Sequence, residues 1–324
     1  MKYIKNLLIA LLIFLPINNA ISQSNYPTQP IRIVIGFPPG LLADSIFRQL
    51  AERLTIILGQ QVLIENKPGV SGLLAAEVVA KSKPDGYTLL GSPISALAST
   101  AQLVKQKNFD VNRDFIGISI VTKLDYVIVV NAKLPITNVE QLITYARLNP
   151  GKLNYASPGL GSSLHLATEV LAQKANIKFT HIPYKGGSQL LQDLVAGQVD
   201  FTVTALGPVE QQVKAGQLRI IGVTGSKRNQ FIPEIRTVAE SGLPNFSMTG
   251  NHFLAAPANT PKPILEKLNQ SVMQIMANKD VQERWNKMGL ETGYTSILAT
   301  KTLLQTETDF YGKLINDLNL SASD

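Results

Sequence analysis

The stretch Ile31-Arg32-Ile33-Val34-Ile35-Gly36-Phe37-Pro38-Pro39-Gly40 decides how the chain is read. Its aliphatic run suits a strand buried on both faces, and the Gly/Pro run that follows ends it in a loop. Beyond the loop, Ile46, Phe47, Leu50, Leu54, Ile57 and Leu58 recur at three- and four-residue spacing, the signature of a helix with one buried stripe. The phrase then repeats. Gln61 to Glu65 reads as a strand, Lys67 to Gly72 as its loop and Leu73 to Lys81 as its helix, and Pro84-Asp85-Gly86 turns the chain into a strand at Tyr87 to Leu90. In the second half a strand at Tyr126 to Asn131 precedes a helix striped by Val139, Leu142, Ile143 and Ala146. Leu153 to Ala156 leads through the loop Ser157 to Ser162 into a helix bearing Leu166, Val170 and Leu171. Phe179 to Tyr184 leads through Lys185-Gly186-Gly187 into Gln189 to Ala196. Alternating strands and helices specify parallel sheets covered on both faces, and two such series specify two α/β lobes. A strand at Leu218 to Val223, an apolar stretch at Phe253 to Ala256 and a helix after Pro263 follow, without composition saying which lobe the C-terminal helices join.

The chain has 324 residues, enough for two domains, and with 45% hydrophobic and 16% charged residues it can bury sizeable cores. It contains no cysteine, which excludes thiol nucleophiles, disulfides, Cys-bound zinc and iron–sulfur clusters. Removing Lys2 and Lys5 from the formal charge of +7 leaves +5, scattered without a basic run interleaved with aromatics, so a nucleic-acid partner is not expected. Lys2 and Lys5 precede nine apolar residues, Leu7 to Leu15, then Pro16 and small or polar residues to Ser22. That run is too short for a membrane span, which needs about 20 residues. It has the form of an export signal. Residues 1–22 are therefore expected to be removed, with cleavage before Gln23 or after Ala20, leaving a soluble protein outside the cytoplasm.

A glycine-rich turn between a strand and a helix lets free backbone N–H groups converge at the positive end of the helix, where a carboxylate or phosphate can sit. The same turns can equally serve as helix caps. Asp44 can bind a ligand or cap the first helix; Arg48, one turn on, can pair with it or face solvent. Lys185 can complement an anion or simply be solvated, and Tyr184 can form an aromatic wall or pack in a core. Catalysis finds little support. His165, His181 and His252 show no metal-ligand spacing. Gly161-Ser162-Ser163-Leu164-His165 does not place its serine as a nucleophile elbow does. Gly159-Leu160-Gly161 resembles the start of a dinucleotide fingerprint, yet Leu164 occupies its third glycine position and the acidic residue expected about 20 residues later is missing. An exported dinucleotide-dependent enzyme is thus the weaker alternative, and no cofactor is expected.

Several phrases together resemble the solute receptors of tripartite tricarboxylate transporters, often called Bug proteins. They are Phe37-Pro38-Pro39-Gly40 with Asp44, Glu65-Asn66-Lys67-Pro68-Gly69, Pro84-Asp85-Gly86-Tyr87-Thr88-Leu89, Tyr155-Ala156-Ser157-Pro158-Gly159 with Gly161 to His165, and Pro183-Tyr184-Lys185-Gly186 with Gly197-Gln198-Val199-Asp200. Thr237 to Pro244 and Ala256 to Pro261 continue the series. The resemblance covers nearly all of the chain after residue 22. It implies a type II-like, two-lobed periplasmic-binding-protein fold, each lobe a mainly parallel sheet flanked by helices, hinged by crossover strands near Tyr126 to Val130 and Asn251 to Ala255. Residues 23–126 and 251–324 would form the first lobe and 127–250 the second. It further implies a small organic carboxylate as ligand, membrane permease subunits or a sensor kinase as protein partner, a monomer, and no enzymatic activity.

Carried over residue by residue, the resemblance implies Phe37, Pro39, Gly40, Leu41 and Asp44 on one side of the cleft. Ser157, Gly161, Ser162 and Ser163 stand on the other, with Gly69, Ser71 and Gly72 lining the space between and Tyr184, Lys185 and Thr204 completing it. The chain departs from the family at Leu41-Leu42-Ala43, at Leu73-Leu74 and at Thr204-Ala205, where polar or small residues are usual. Polar contacts are exchanged for aliphatic surface, and Thr204 lacks a charge to meet an ammonium. A ligand with a carboxylate, no amino group and an enlarged apolar body is the expectation; the alternative is that Leu41 and Leu42 turn inward as core.

Overall fold

The computed structural model describes residues 25–104, 107–184 and 187–320. The expected export segment and Lys185 lie outside them. The opening phrase folds as read: β1 (Ile31–Ile35), α1 (Leu42–Leu58), β2 (Val62–Asn66), α2 (Leu73–Ala80) and β3 (Thr88–Pro93) follow one another. β1 lies parallel to both β2 and β3, with Ile33 in register with Ile64 and Leu89. Only Arg32 of β1 is exposed, as a strand covered on both faces requires.

The next strand is longer than its sequence reading. β4 (Phe115–Asn131) has 17 residues and begins well before Tyr126, because Phe115 to Leu124 is itself apolar and almost entirely buried. It is followed by α3 (Val139–Leu148), β5 (Asn154–Ser157), α4 (Ser163–Ala175), β6 (Thr180–Pro183), α5 (Gly187–Ala196), β7 (Phe201–Ala205), β8 (Leu218–Val223) and β9 (Thr249–Pro257). β5 is parallel to β6 and β7. Phe115 to Asp125 pairs with β9 in the first sheet, whereas Tyr126 to Asn131 pairs with β7 and β8 in the second. One strand thus passes from sheet to sheet, changing partners between Asp125 and Tyr126. The parallel pattern holds for the repeated strand–helix phrases, while β4, β8 and β9 run antiparallel to their neighbours, an arrangement that needs no crossover helix.

The C-terminal elements α6 (Lys262–Met276), α7 (Lys279–Asn286), β10 (Glu291–Thr292) and α8 (Ile297–Asp317) return to the first sheet. α6 packs on α1 and β4, β10 pairs with β4, and α8 covers β4 and a π-helical turn at Ala96–Thr100. Trp285 of α7 is buried and donates its indole N–H to Gln49 of α1 at 3.1 Å. One apolar core underlies the first sheet and continues through β4 into the second. A smaller cluster around Val127, Val129, Leu190 and Leu194 fills the other face there.

Candidate functional site

The loops that follow β1, β2, β5 and β6 all leave the C-terminal ends of parallel strands, the ligand side of open α/β sheets. In the first lobe two of them are stacked backbone on backbone: a Cβ built on Gly36 would lie 2.3 Å from Gly72 Cα. Only glycine permits that approach. These loops face those of the second lobe across a cleft of about 1090 Å³.

The α1 end of the cleft is uncapped. Leu41 stands at the N-cap position, where it has no side-chain oxygen to offer, and the first intrahelical bond runs from Ser45 N–H to the Leu41 carbonyl at 3.0 Å. The amides of Leu42, Ala43 and Asp44 therefore have no partner within the helix. Leu42 and Ala43 line the cleft. Asp44 does not, which corrects its expected place in the site. Its side chain is buried and turned into the protein, where it accepts from Gly40 N–H at 2.9 Å, Arg48 Nε at 2.9 Å and Asn66 Nδ2 at 2.8 Å. Burial pushes the Asp44 carboxyl up, but the hydrogen bonds from Arg48, Asn66 and Gly40 outweigh it and hold the group below the ordinary range. Asn66 also donates to the Phe37 carbonyl at 2.9 Å. The Asp44–Arg48–Asn66 network thus fixes the loop that carries the free amides. Sequence reasoning missed Asn66, although it closes β2 just before Lys67-Pro68-Gly69.

The α4 end is built differently. Ser162 caps the helix, accepting from His165 N–H at 3.2 Å while donating to the Gly159 carbonyl at 2.8 Å. The amides of Ser163 and Leu164 have no partner within the helix. Ser163 Oγ accepts from Tyr126 OH at 2.8 Å, which leaves its own proton free to donate, and Ser162, Ser163 and Leu164 all line the cleft. Ser157 and Gly161 do not. Ser157 Oγ is buried against His181 Nε2 at 2.7 Å and accepts from Gly159 N–H at 3.1 Å, and Gly161 donates its N–H to His165 Nδ1 at 3.3 Å. Both shape the turn from behind. Tyr155 stacks against the rings of His165 and His181 and donates its hydroxyl to Glu169. Burial, together with the neighbouring His181, lowers His165 to about 3, and burial lowers His181 to about 4, so both imidazoles are neutral.

Of the other expected positions, Phe37, Gly40, Leu41, Gly69, Ser71, Tyr184 and Thr204 line the cleft, whereas Pro39 and Gly72 do not. Pro39 is exposed, and Gly72 lies beneath the Phe37 ring, which a Cβ there would meet at 3.2 Å. Leu41 projects across the opening: its Cδ2 would stand 3.6 Å from a Cβ on Gly187 at the start of α5. Leu42 also faces the cleft while packing against the core. Val70 and Ser71 adopt positive φ angles of 46° and 51°, costly for a β-branched residue, in the loop that presents Ser71 to the cleft. Tyr184 donates to Asp193 Oδ2 at 2.8 Å, and burial with that bond pushes its hydroxyl up to about 12. Leu124, Tyr126, Leu164, Leu190, Leu191 and Met288 add apolar walls that local periodicity could not assign to a cleft. Among the described lining residues the charged side chains are Glu210, paired with Lys214 at 2.6 Å, and Lys287. Main-chain amides and hydroxyls at two helix starts, set in leucine-rich walls, can hold a carboxylate and cover an apolar body.

Comparison with known proteins agrees with this geometry. The family model described as "Tripartite tricarboxylate transporter family receptor" matches residues 46–320. A Pseudomonas sp. (strain P51) protein of the UPF0065 group, in the tcbD-tcbE intergenic region, is 36% identical over 92% of this chain and 89% of its own length. An R. palustris protein solved with adipate superposes with a TM-score of 0.86 at 30% identity, covering 91% of this chain and 99% of its own. MatC from Rhodopseudomonas palustris, solved with bound malate, gives a TM-score of 0.82 at 26% identity over 90% of this chain and 100% of its own.

Proposed function

Because this chain belongs to the tripartite tricarboxylate transporter receptor family, we propose that it is an exported receptor that captures a small organic carboxylate with an apolar body and no amino group, and delivers it to a membrane permease. The observation that carries this reading is the pair of facing helix starts: the free amides of Leu42 and Ala43 on one side, those of Ser163 and Leu164 with the Ser163 hydroxyl on the other, around one cleft. A carboxylate bridging both ends gains contacts in the closed state that the open state lacks, so binding and closure are the same event. The change of sheet within β4 and the return of the C-terminal helices support a first lobe of residues 23–126 and 251–324 and a second of 127–250.

The leucine-rich lining supports the apolar body. Each buried methylene contributes about 0.8 kcal/mol, so two more than malate are worth roughly a tenfold gain in affinity. Among the lining residues, the acid nearest to serving as a partner for an ammonium is Glu210, already paired with Lys214. Adipate and malate are the acids in the two R. palustris structures and are the natural probes. Isothermal titration against adipate, malate, hexanoate, benzoate, aspartate and glutamate tests the reading. Tightest binding by an acid with the larger apolar body is expected, and tightest binding by aspartate or glutamate would overturn it.

A further inference from the structure

The turn before α4 is held from both lobes at a single residue. Gly161 gives its N–H to His165 Nδ1 at 3.3 Å within the second lobe, while its carbonyl points the other way, into the π-helical turn Ala96–Thr100 of the first. There it accepts from Ser99 Oγ at 2.7 Å and, more weakly, from Thr100 Oγ1 at 3.4 Å. Both hydroxyl residues are buried. The fit is close enough that a Cβ on Gly161 would lie 2.3 Å from Leu103 Cδ1. None of these contacts faces the cleft except at Thr100, yet the residue they grip lies immediately before Ser162 and Ser163, which do.

We infer that Ser99 is a positioning residue: from the first lobe it holds the Gly161 carbonyl of the second, so that the α4 start presents its amides to the cleft only while the two lobes are gripped together. Ser99 has the chemistry for a contact that can part. Its single O–H lies between two acceptors, the Gly161 carbonyl and the Ser95 carbonyl one helical turn back at 2.6 Å. When the lobes separate, the proton keeps the Ser95 partner, a common fallback for a helical serine, and the Gly161 carbonyl meets water. The Ser99 donor is not orphaned, so the cost of releasing it stays below that of an ordinary broken buried bond. The anion-binding turn is in this way shared between lobes rather than owned by the second. That role rests on the carboxylate reading for its purpose but not for its geometry.

Because the chain has no cysteine, Ile56→Cys and Leu148→Cys, both strongly exposed and one on each lobe, can be spin-labelled uniquely in the full protein. Pulsed dipolar spectroscopy of the ligand-free labelled protein should give a broader, longer interlobe distance distribution for Ser99→Ala than for the unsubstituted background, with a smaller change for Thr100→Val. Adipate affinity should fall about fivefold in Ser99→Ala, the worth of one net hydrogen bond. An unchanged distance distribution in Ser99→Ala, in protein whose circular dichroism matches the parent, would overturn the inference. If the distribution changes while the parent binds none of the acids tested, the grip stands and the carboxylate reading fails instead.

Discussion

The two helix starts that face the cleft solve the same problem with opposite backing. At α1 the loop is shaped by an ionised, buried carboxylate, Asp44, tied to Arg48 and Asn66, and the N-cap position is spent on an apolar Leu41. At α4 the loop is shaped by neutral imidazoles, His165 and His181, stacked on Tyr155, and the N-cap is a serine with both its hydrogen bonds in use. The first end is tied to its own charged side chains and carries an apolar arm; the second is hydroxyl-rich and hydrogen-bonded to the π-helical turn through Ser99. A receptor can thus keep one recognition chemistry, the free amides, while varying the walls around it.

Acid should separate the two ends most strongly. An unfolded chain protonates its histidines near pH 6.5, whereas burial holds folded His165 at about 3 and folded His181 and His252 at about 4. The unfolded state binds more protons in that window, so stability is complete above pH 6.5 and is lost as pH falls toward 4, by about 1.4 kcal/mol per pH unit for each histidine. Asp44, held low, supports folding above the ordinary carboxylate value and loses that support only as pH falls below it. Urea unfolding at pH 7 and pH 5 measures the difference. His181→Gln should flatten the slope by one histidine's share, and an unchanged slope would contradict the buried neutral assignment.

Asp44→Ala should be the most damaging single change at the α1 end, costing about 3 kcal/mol of stability, because it strips the acceptor from Gly40, Arg48 and Asn66 together. A loss under about 1 kcal/mol in urea unfolding would mean that the loop is held by something else. A matched pair of glycines sharpens the contrast. Gly40 and Gly161 have similar positive φ angles, 82° and 75°, but a Cβ on Gly40 meets nothing within 4 Å, whereas one on Gly161 meets Leu103. Gly161→Ala should therefore be about 2 kcal/mol more destabilising than Gly40→Ala by thermal unfolding. Equal costs would deny the close docking of the lobes at that turn. Smallest is the effect of the apolar arm. Leu41→Gly should weaken adipate binding by about fivefold, near 1 kcal/mol of apolar contact, while leaving malate binding nearly unchanged by calorimetry.

The repeated strand–loop–helix phrases were legible because their signals are local: β-branched runs, glycine turns and three- and four-residue stripes. The part of β4 before Tyr126 was not, since a long strand buried on both faces has no alternation to mark it. Asp44 illustrates the limit at the site. A carboxylate in the first turn of a helix can face a ligand or its own loop with equal sense, and Arg48 with Asn66, the latter brought alongside only by the β1–β2 pairing, decides for the loop. The family resemblance implies a place in the site for Ser157 and Gly161, yet partners distant in sequence, His181 and Ser99, turn their polar groups away from the cleft. Cleft-lining leucines of α5 look like any core stripe until the first lobe is opposite them.

Amide resonances of the isotope-labelled protein titrated with adipate report whether both helix starts hold one carboxylate. Leu42 and Ala43 on one helix and Ser163 and Leu164 on the other should shift together, at the same ligand concentration, as one carboxylate is shared between them. Shifts confined to one helix start, or absent from both while adipate binds elsewhere, would contradict it.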